Sequence, residues 1–220
     1  MLQKSTFTFL KELKQHNNKP WLDANRLKYE EAKQDFAGLV SDLIKAIGKF
    51  DAGMASLLAK DCTFRLNRDI RFSKDKTPYK TNFGAGFNVG GKKALNAGYY
   101  LHIEPGKCFI GGGFWMPPAE ILQKIRQEID YNFADFKKIM AHKNFKNNFV
   151  KGIEKNDMLT RPPKGYGDDN PAIEYIKLKS FIVTKPLSDA EAASPLLVKN
   201  VATVFKAMQA FVQFLNEAIA

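Results

Sequence analysis

Between Arg65 and Lys80 the sequence places six cations, Arg65, Arg68, Arg71, Lys74, Lys76 and Lys80, beside only two carboxylates, Asp69 and Asp75. Arginine forks grip carboxylate or phosphate bidentately and lysines act as mobile point charges, so a segment of this kind suits an anionic ligand. Arg65, Arg71, Lys74, Lys76 and Lys80 are the candidate contacts. Neither a GxxxxGK[ST] loop nor a GxGxxG turn is present, so no nucleotide-binding signature supports a narrower choice. Farther along, Tyr100, His102 and Glu104 stand at alternate positions. With Asp69, the His102 and Glu104 side chains are the candidates for proton transfer or for weak hold on a divalent ion, and Tyr100 joins the ligand contacts. The competing reading is a histidine that is merely hydrogen-bonded. His16, His102 and His142 are widely spaced, and HExxH, EF-hand and GxSxG patterns are absent. The sequence therefore predicts no dedicated metal site and names no cofactor. Arg161 and Lys164 lie in a Pro- and Gly-rich loop that would either close over the site as a lid or form an ordered crossover capped by Asp168 or Asp169.

These groups have to be positioned by the elements around them. Alternation of apolar residues predicts strands over 62–72, 83–89, 98–104 and 107–116, with one more over 179–185. Short connections such as Pro105-Gly106 favour an antiparallel meander. Strand parity puts Arg65, Asn67, Asp69, Arg71, Tyr100, His102 and Glu104 on one face, over a floor of Gly84, Gly86, Gly111 and Gly113. That face is either a ligand cleft or a solvated ion-pair surface. The same parity puts Arg68 on the apolar face, where it needs an internal ion pair or a bulge that turns it outward. Apolar positions at helical spacing predict helices through Phe7–Leu13, Tyr29–Ile47, Ile121–Ile129 and Leu197–Leu215, with another near 132–142. Gly48 and Pro118 mark a helix end and a helix start. The fold class expected is α+β, a meander of four to six strands packed by N-terminal, middle and C-terminal helices, with residues 1–220 forming one domain.

Composition sets the outer bounds. The 220 residues carry 34 Lys and Arg against 23 Asp and Glu, a formal net charge of +11, so the surface field attracts anions without naming one. An anionic small molecule and a nucleic acid are the partners considered, and an interaction module without chemistry is the alternative to a binding or enzymatic cleft. Two cysteines, Cys62 and Cys108, provide neither a disulfide framework nor a zinc site, which fits a reducing compartment. Met1–Leu13 does not read as a signal peptide, and no stretch approaches the roughly 20 apolar residues of a membrane span; a cytoplasmic location is expected.

The segment Arg65-Leu66-Asn67-Arg68-Asp69-Ile70-Arg71-Phe72-Ser73-Lys74-Asp75-Lys76-Thr77-Pro78-Tyr79-Lys80-Thr81-Asn82 resembles the hallmark of the family called domain of unknown function 2461. Gly98–Gly106, Gly111–Pro118, Arg161–Tyr166, Trp21 and Asn25 also resemble family segments, so the likeness spans nearly the whole chain. It implies membership and a single-domain architecture, and carries over no activity and no catalytic residue. Asn170 stands before Pro171 where the resemblance implies a histidine, which weakens an acid or base role at that position.

Overall fold

The computed structural model of the chain describes residues 1–220. Strands β1 (Phe83–Phe87), β2 (Gly98–Ile103), β3 (Phe109–Phe114) and β4 (Phe181–Pro186) form one antiparallel sheet in the order β1-β2-β3-β4. The meander follows directly from its turns. Between β2 and β3 the Lys107 amide donates to the Glu104 carbonyl at 2.8 Å, with Gly106 at φ +77°. Pro105 supplies the fixed φ that such a turn needs at its second position, and glycine the positive φ at its third.

The helices are α1 (Lys4–Gln15), α2 (Lys19–Ala24), α3 (Arg26–Ile47), α4 (Ala59–Cys62), α5 (Ala119–Tyr131), α6 (Phe133–Ala141), α7 (Lys143–Asn148), α8 (Ile173–Ile176), α9 (Asp189–Ala192) and α10 (Leu197–Glu217). The long apolar stripes of α3 and α10 pack on one face of the sheet. Phe36 of α3 stacks on Phe83 of β1 at 5.3 Å between ring centroids, and Phe205 of α10 meets Tyr99 of β2 at 5.1 Å and Phe87 of β1 at 5.6 Å. Helices α6 and α7 lie against α10 through Phe136–Phe214 and Phe145–Phe211. The buried apolar residues make one cluster of 50, and burying each large side chain there contributes about 1.5–3 kcal/mol relative to exposure. No helix is long and apolar enough to cross a membrane.

One expectation is corrected. Residues 62–72 do not form a strand: α4 ends at Cys62, and beyond it only Thr63 and Asn67 make isolated bridges, to Ala85 and Tyr79. Cys62 and Leu66 are buried as alternation requires, but Phe64 is 38% exposed and Phe72 94% exposed, so parity fails on both sides of Leu66. The cause is local hydrogen bonding that outcompetes a sheet ladder. Arg68 takes up the Asp75 carboxylate and the Thr77 hydroxyl, and its guanidinium also donates to the Thr77 carbonyl at 3.2 Å. The chain therefore folds back on itself as an arm over residues 63–82, closed by Arg68 N–H to Pro78 C=O and Lys80 N–H to Leu66 C=O, both 2.9 Å. Between α1 and α2 the chain turns at once into the next helix: Asn18 caps α2 by accepting from the Trp21 amide at 2.9 Å, with Pro20 in the first turn.

Candidate functional site

The face of the sheet turned away from α3 and α10 carries the candidate residues Tyr100 and His102. Register sets His102 of β2 between Gly84 of β1 and Phe109 of β3, and Tyr100 between Gly86 and Gly111. Phe109 stacks on the imidazole at 4.7 Å with an interplanar angle of 17°. The Tyr100 hydroxyl lies 3.2 Å and the Asn82 amide nitrogen 3.4 Å from His102 Nδ1, while His102 Nε2 lies 3.4 Å from Glu104 Oε2. Asn82 Nδ2 and the tyrosine hydroxyl both donate, so Nδ1 is the acceptor and Nε2 carries the proton toward Glu104. The Thr81 hydroxyl donates to Glu104 Oε1 at 3.0 Å and fixes the carboxylate. Burial pushes the His102 imidazole below its usual range, opposed by Glu104, and the same burial pushes the Tyr100 phenol up to about 12. The side chains of His102 and Glu104 are only 15% and 16% exposed.

Glycine permits this arrangement. A methyl group at Gly84 would stand 2.6 Å from the Tyr100 hydroxyl oxygen, so only a residue without Cβ lets the phenol lie across β1 to reach His102. The other expected floor positions are also occupied from above: the Phe64 ring lies over Gly86, and Thr184 and Phe109 flank Gly111. The floor holds aromatic rings of the protein itself rather than open space.

The arm divides the cations into two sets. Arg68 is committed to Asp75 and Thr77, and Arg71 forms a two-point contact with Asp69, Nε to Oδ1 at 3.0 Å and Nη2 to Oδ2 at 2.7 Å. Asp75 is pulled down to about 2, first by the Thr77 amide and then by Arg68; the Asp69 carboxyl is held low chiefly by Arg71. Lys76 Nζ donates to the Ile70 carbonyl at 3.0 Å. Arg65, Lys74 and Lys80 form no ion pair. Lys80 is half-buried, its Nζ 5.6 Å above the Phe64 ring, and Phe64 meets Tyr100 edge-on at 6.2 Å. Burial, and then the nearby Arg65 charge, push the Lys80 ammonium below the ordinary lysine range.

The structure thus brings Tyr100, His102 and Glu104 together, and sets Lys80 beside them through Phe64, with the Arg65 charge near Lys80. Asp69 and Arg71 pair with each other on the exposed part of the arm, with Lys74 and Lys76 beyond them, and Asp69 makes no hydrogen bond to His102. Arg161 and Lys164 are exposed on the late loop, which is pinned along α5 and α8. Its anchors are Leu159 N–H to Lys177 C=O at 2.8 Å and Asn170 Nδ2 to Asp130 Oδ1 at 2.6 Å. The Asn170 side chain, and neither Asp168 nor Asp169, accepts from the Ala172 amide at 2.7 Å before α8. Asn82, Thr81 and Phe109 are the contributors that residue-type reasoning passed over. The Asn17 side chain is another: it pairs with both the amide and the carbonyl of Tyr79, at 3.0 and 2.9 Å, and ties the arm to the α1–α2 connection. No three His, Cys, Asp or Glu side chains converge in a metal-binding group, which leaves His102 and Glu104 as two adjacent ligands at most.

Fold and site together define an α+β protein whose antiparallel meander carries long helices on one face and, on the other, a basic arm beside a buried Tyr–His–Glu chain. The chain belongs to the family described as "Conserved hypothetical protein (DUF2461)", whose model matches residues 5–214. No curated protein and no solved structure matches it.

Proposed function

We propose that the chain binds an anionic, phosphate- or carboxylate-bearing ligand at the root of the arm, through Arg65 and Lys80, against the aromatic wall of Phe64 and Tyr100. The observation that carries this reading is the pair of neighbouring cations that form no ion pair: Lys80, half-buried over Phe64, is depressed by burial and then by Arg65, and the one carboxylate whose charge reaches Arg65, Asp69, is bound to Arg71. Two like charges held near each other, one of them half-buried, are stabilised by an anion that reaches both. Arg71, Lys74 and Lys76 on the arm, with Arg161 and Lys164 on the late loop, add to the attractive field. The Tyr100–His102–Glu104 chain lies beside this wall, with the Tyr100 proton directed to His102 Nδ1, and supplies an imidazole that can take up a proton.

Thermal denaturation in inorganic phosphate or pyrophosphate, compared with chloride at equal ionic strength, tests the reading. A ligand that binds only the folded state adds about 2.7 kcal/mol of stability at a hundredfold excess over Kd, and raises Tm accordingly. The rise is expected in the native chain and lost in the Arg65→Ala, Lys80→Ala double variant. Equal shifts in both proteins would refute it.

A further inference from the structure

The arm carries a second aromatic–cation pair that the anion site does not use. At its tip the Phe72 ring is 94% exposed, with the Arg71 guanidinium carbon 5.8 Å from the ring centroid and Lys74 nearby in the chain. At its root Lys80 sits over Phe64 beside Arg65. Between tip and root the arm is braced by the Arg68–Asp75–Thr77 contacts, by Lys76 to the Ile70 carbonyl, and by Asn17 to Tyr79. A phenyl ring kept in water on a braced arm is preorganised to be covered. Its acidic neighbours do not repel an anion strongly, because Asp69 is neutralised by Arg71 and Asp75 by Arg68.

We propose that the arm docks a single-stranded nucleic acid, with a base stacked on Phe72, a backbone phosphate at Lys74, and a further phosphate received by Arg65 and Lys80. The last contact rests on the anion site described above. A strand alternates flat aromatic faces with phosphates, and the arm presents two aromatic faces, each with a cation beside it. A duplex hides its base faces, so it offers Phe72 nothing to stack on. A lipid surface would favour several apolar side chains at the tip, and Phe72 is the only large apolar residue between Arg71 and Thr77.

The test is fluorescence anisotropy with a fluorescein-labelled oligothymidylate of about a dozen residues, long enough to span one binding site. Binding is expected to weaken steeply with salt, and Lys74→Ala to flatten the log–log salt slope by about 0.7. Phe72→Ala is expected to weaken binding by about tenfold and Phe72→Trp to retain it, since stacking is sequence-tolerant and ring-dependent. The Tm rise in inorganic phosphate should be the same in Phe72→Ala as in the native chain, because that response belongs to the root. Strand binding unchanged by Phe72→Ala overturns the inference. So does an absence of strand binding with the phosphate response intact, which leaves the anion site standing. Phe72-dependent binding to phosphatidylserine vesicles without strand binding overturns it too. If neither strand nor phosphate acts, both readings fall.

Discussion

His102 shows how a residue type becomes a site only through its neighbours. Its Nδ1 takes hydrogen bonds from Tyr100 and Asn82, its Nε2 faces Glu104, and Phe109 covers its ring. Because burial lowers the imidazole's affinity for a proton, the unfolded chain, with a histidine near about 6.5, protonates first on acidification. The neutral imidazole therefore contributes stability that is fully present above about pH 6.5 and lost as pH falls through the lower folded value. Urea denaturation across pH 7.5 to about 5 should show this loss, and His102→Gln should flatten the profile in that window while lowering stability at neutral pH. A native-like slope in His102→Gln would place the titration elsewhere.

At the scale of elements, the arm is the feature whose geometry differs most from simple alternation. Arg68 lies at a position that strand parity assigns to the core, and it is instead the hub that folds residues 68–77 back on themselves. Its side chain is 25% exposed and its carboxylate partner more than half so, which makes the ion pair an organiser of local shape rather than a large source of global stability. Arg68→Ala should therefore speed hydrogen exchange at the Arg68 and Lys80 amides, which close the arm, while Tm changes little. Strand binding should weaken with it if the arm is the docking element. Exchange rates unchanged in Arg68→Ala would show that the Asn17–Tyr79 contacts alone hold the arm.

Across the whole molecule, a few polar contacts lock distant parts of the chain to the sheet. Asn216, near the end of α10, accepts from the Ala97 amide at 2.8 Å and donates to the Ala97 carbonyl at 3.2 Å, bridging 119 positions of sequence. Ala97 is fully buried, so Asn216→Ala leaves both backbone groups without a partner. The loss should be about 1–3 kcal/mol. For a chain of this size each kcal/mol lowers Tm by about 2–4 °C, a shift that calorimetry resolves. Asn216→Asp, which keeps the acceptor and removes the donor, should lie between the native chain and the alanine variant. The buried Tyr99 hydroxyl, donating to Asp51 at 2.8 Å, adds a second polar contact at the same end of β2.

Period and punctuation were enough to read much of this protein. The 3.6-residue stripes of α3 and α10, the alternation through Phe83–Phe87 and Tyr99–Ile103, and the Pro105-Gly106 turn all act locally, and local rules determine them. The same alternation placed Tyr100 and His102 on one face of β2, because side-chain period in a strand is independent of what lies beside it. What the sequence could not determine was which face the arm would share. Residues 63–72 alternate well enough for a strand, but a strand needs a continuous neighbour, and the Arg68, Asp75 and Thr77 side chains supplied nearer partners than β1 could. Tertiary structure alone brought Asn82 to His102, moved Phe64 from the expected core to the wall beside Tyr100, and separated Asp69 from His102. Charge told that cations outnumber carboxylates in the segment; only packing decided that Arg68 and Arg71 are answered from within and that Arg65 and Lys80 form no ion pair.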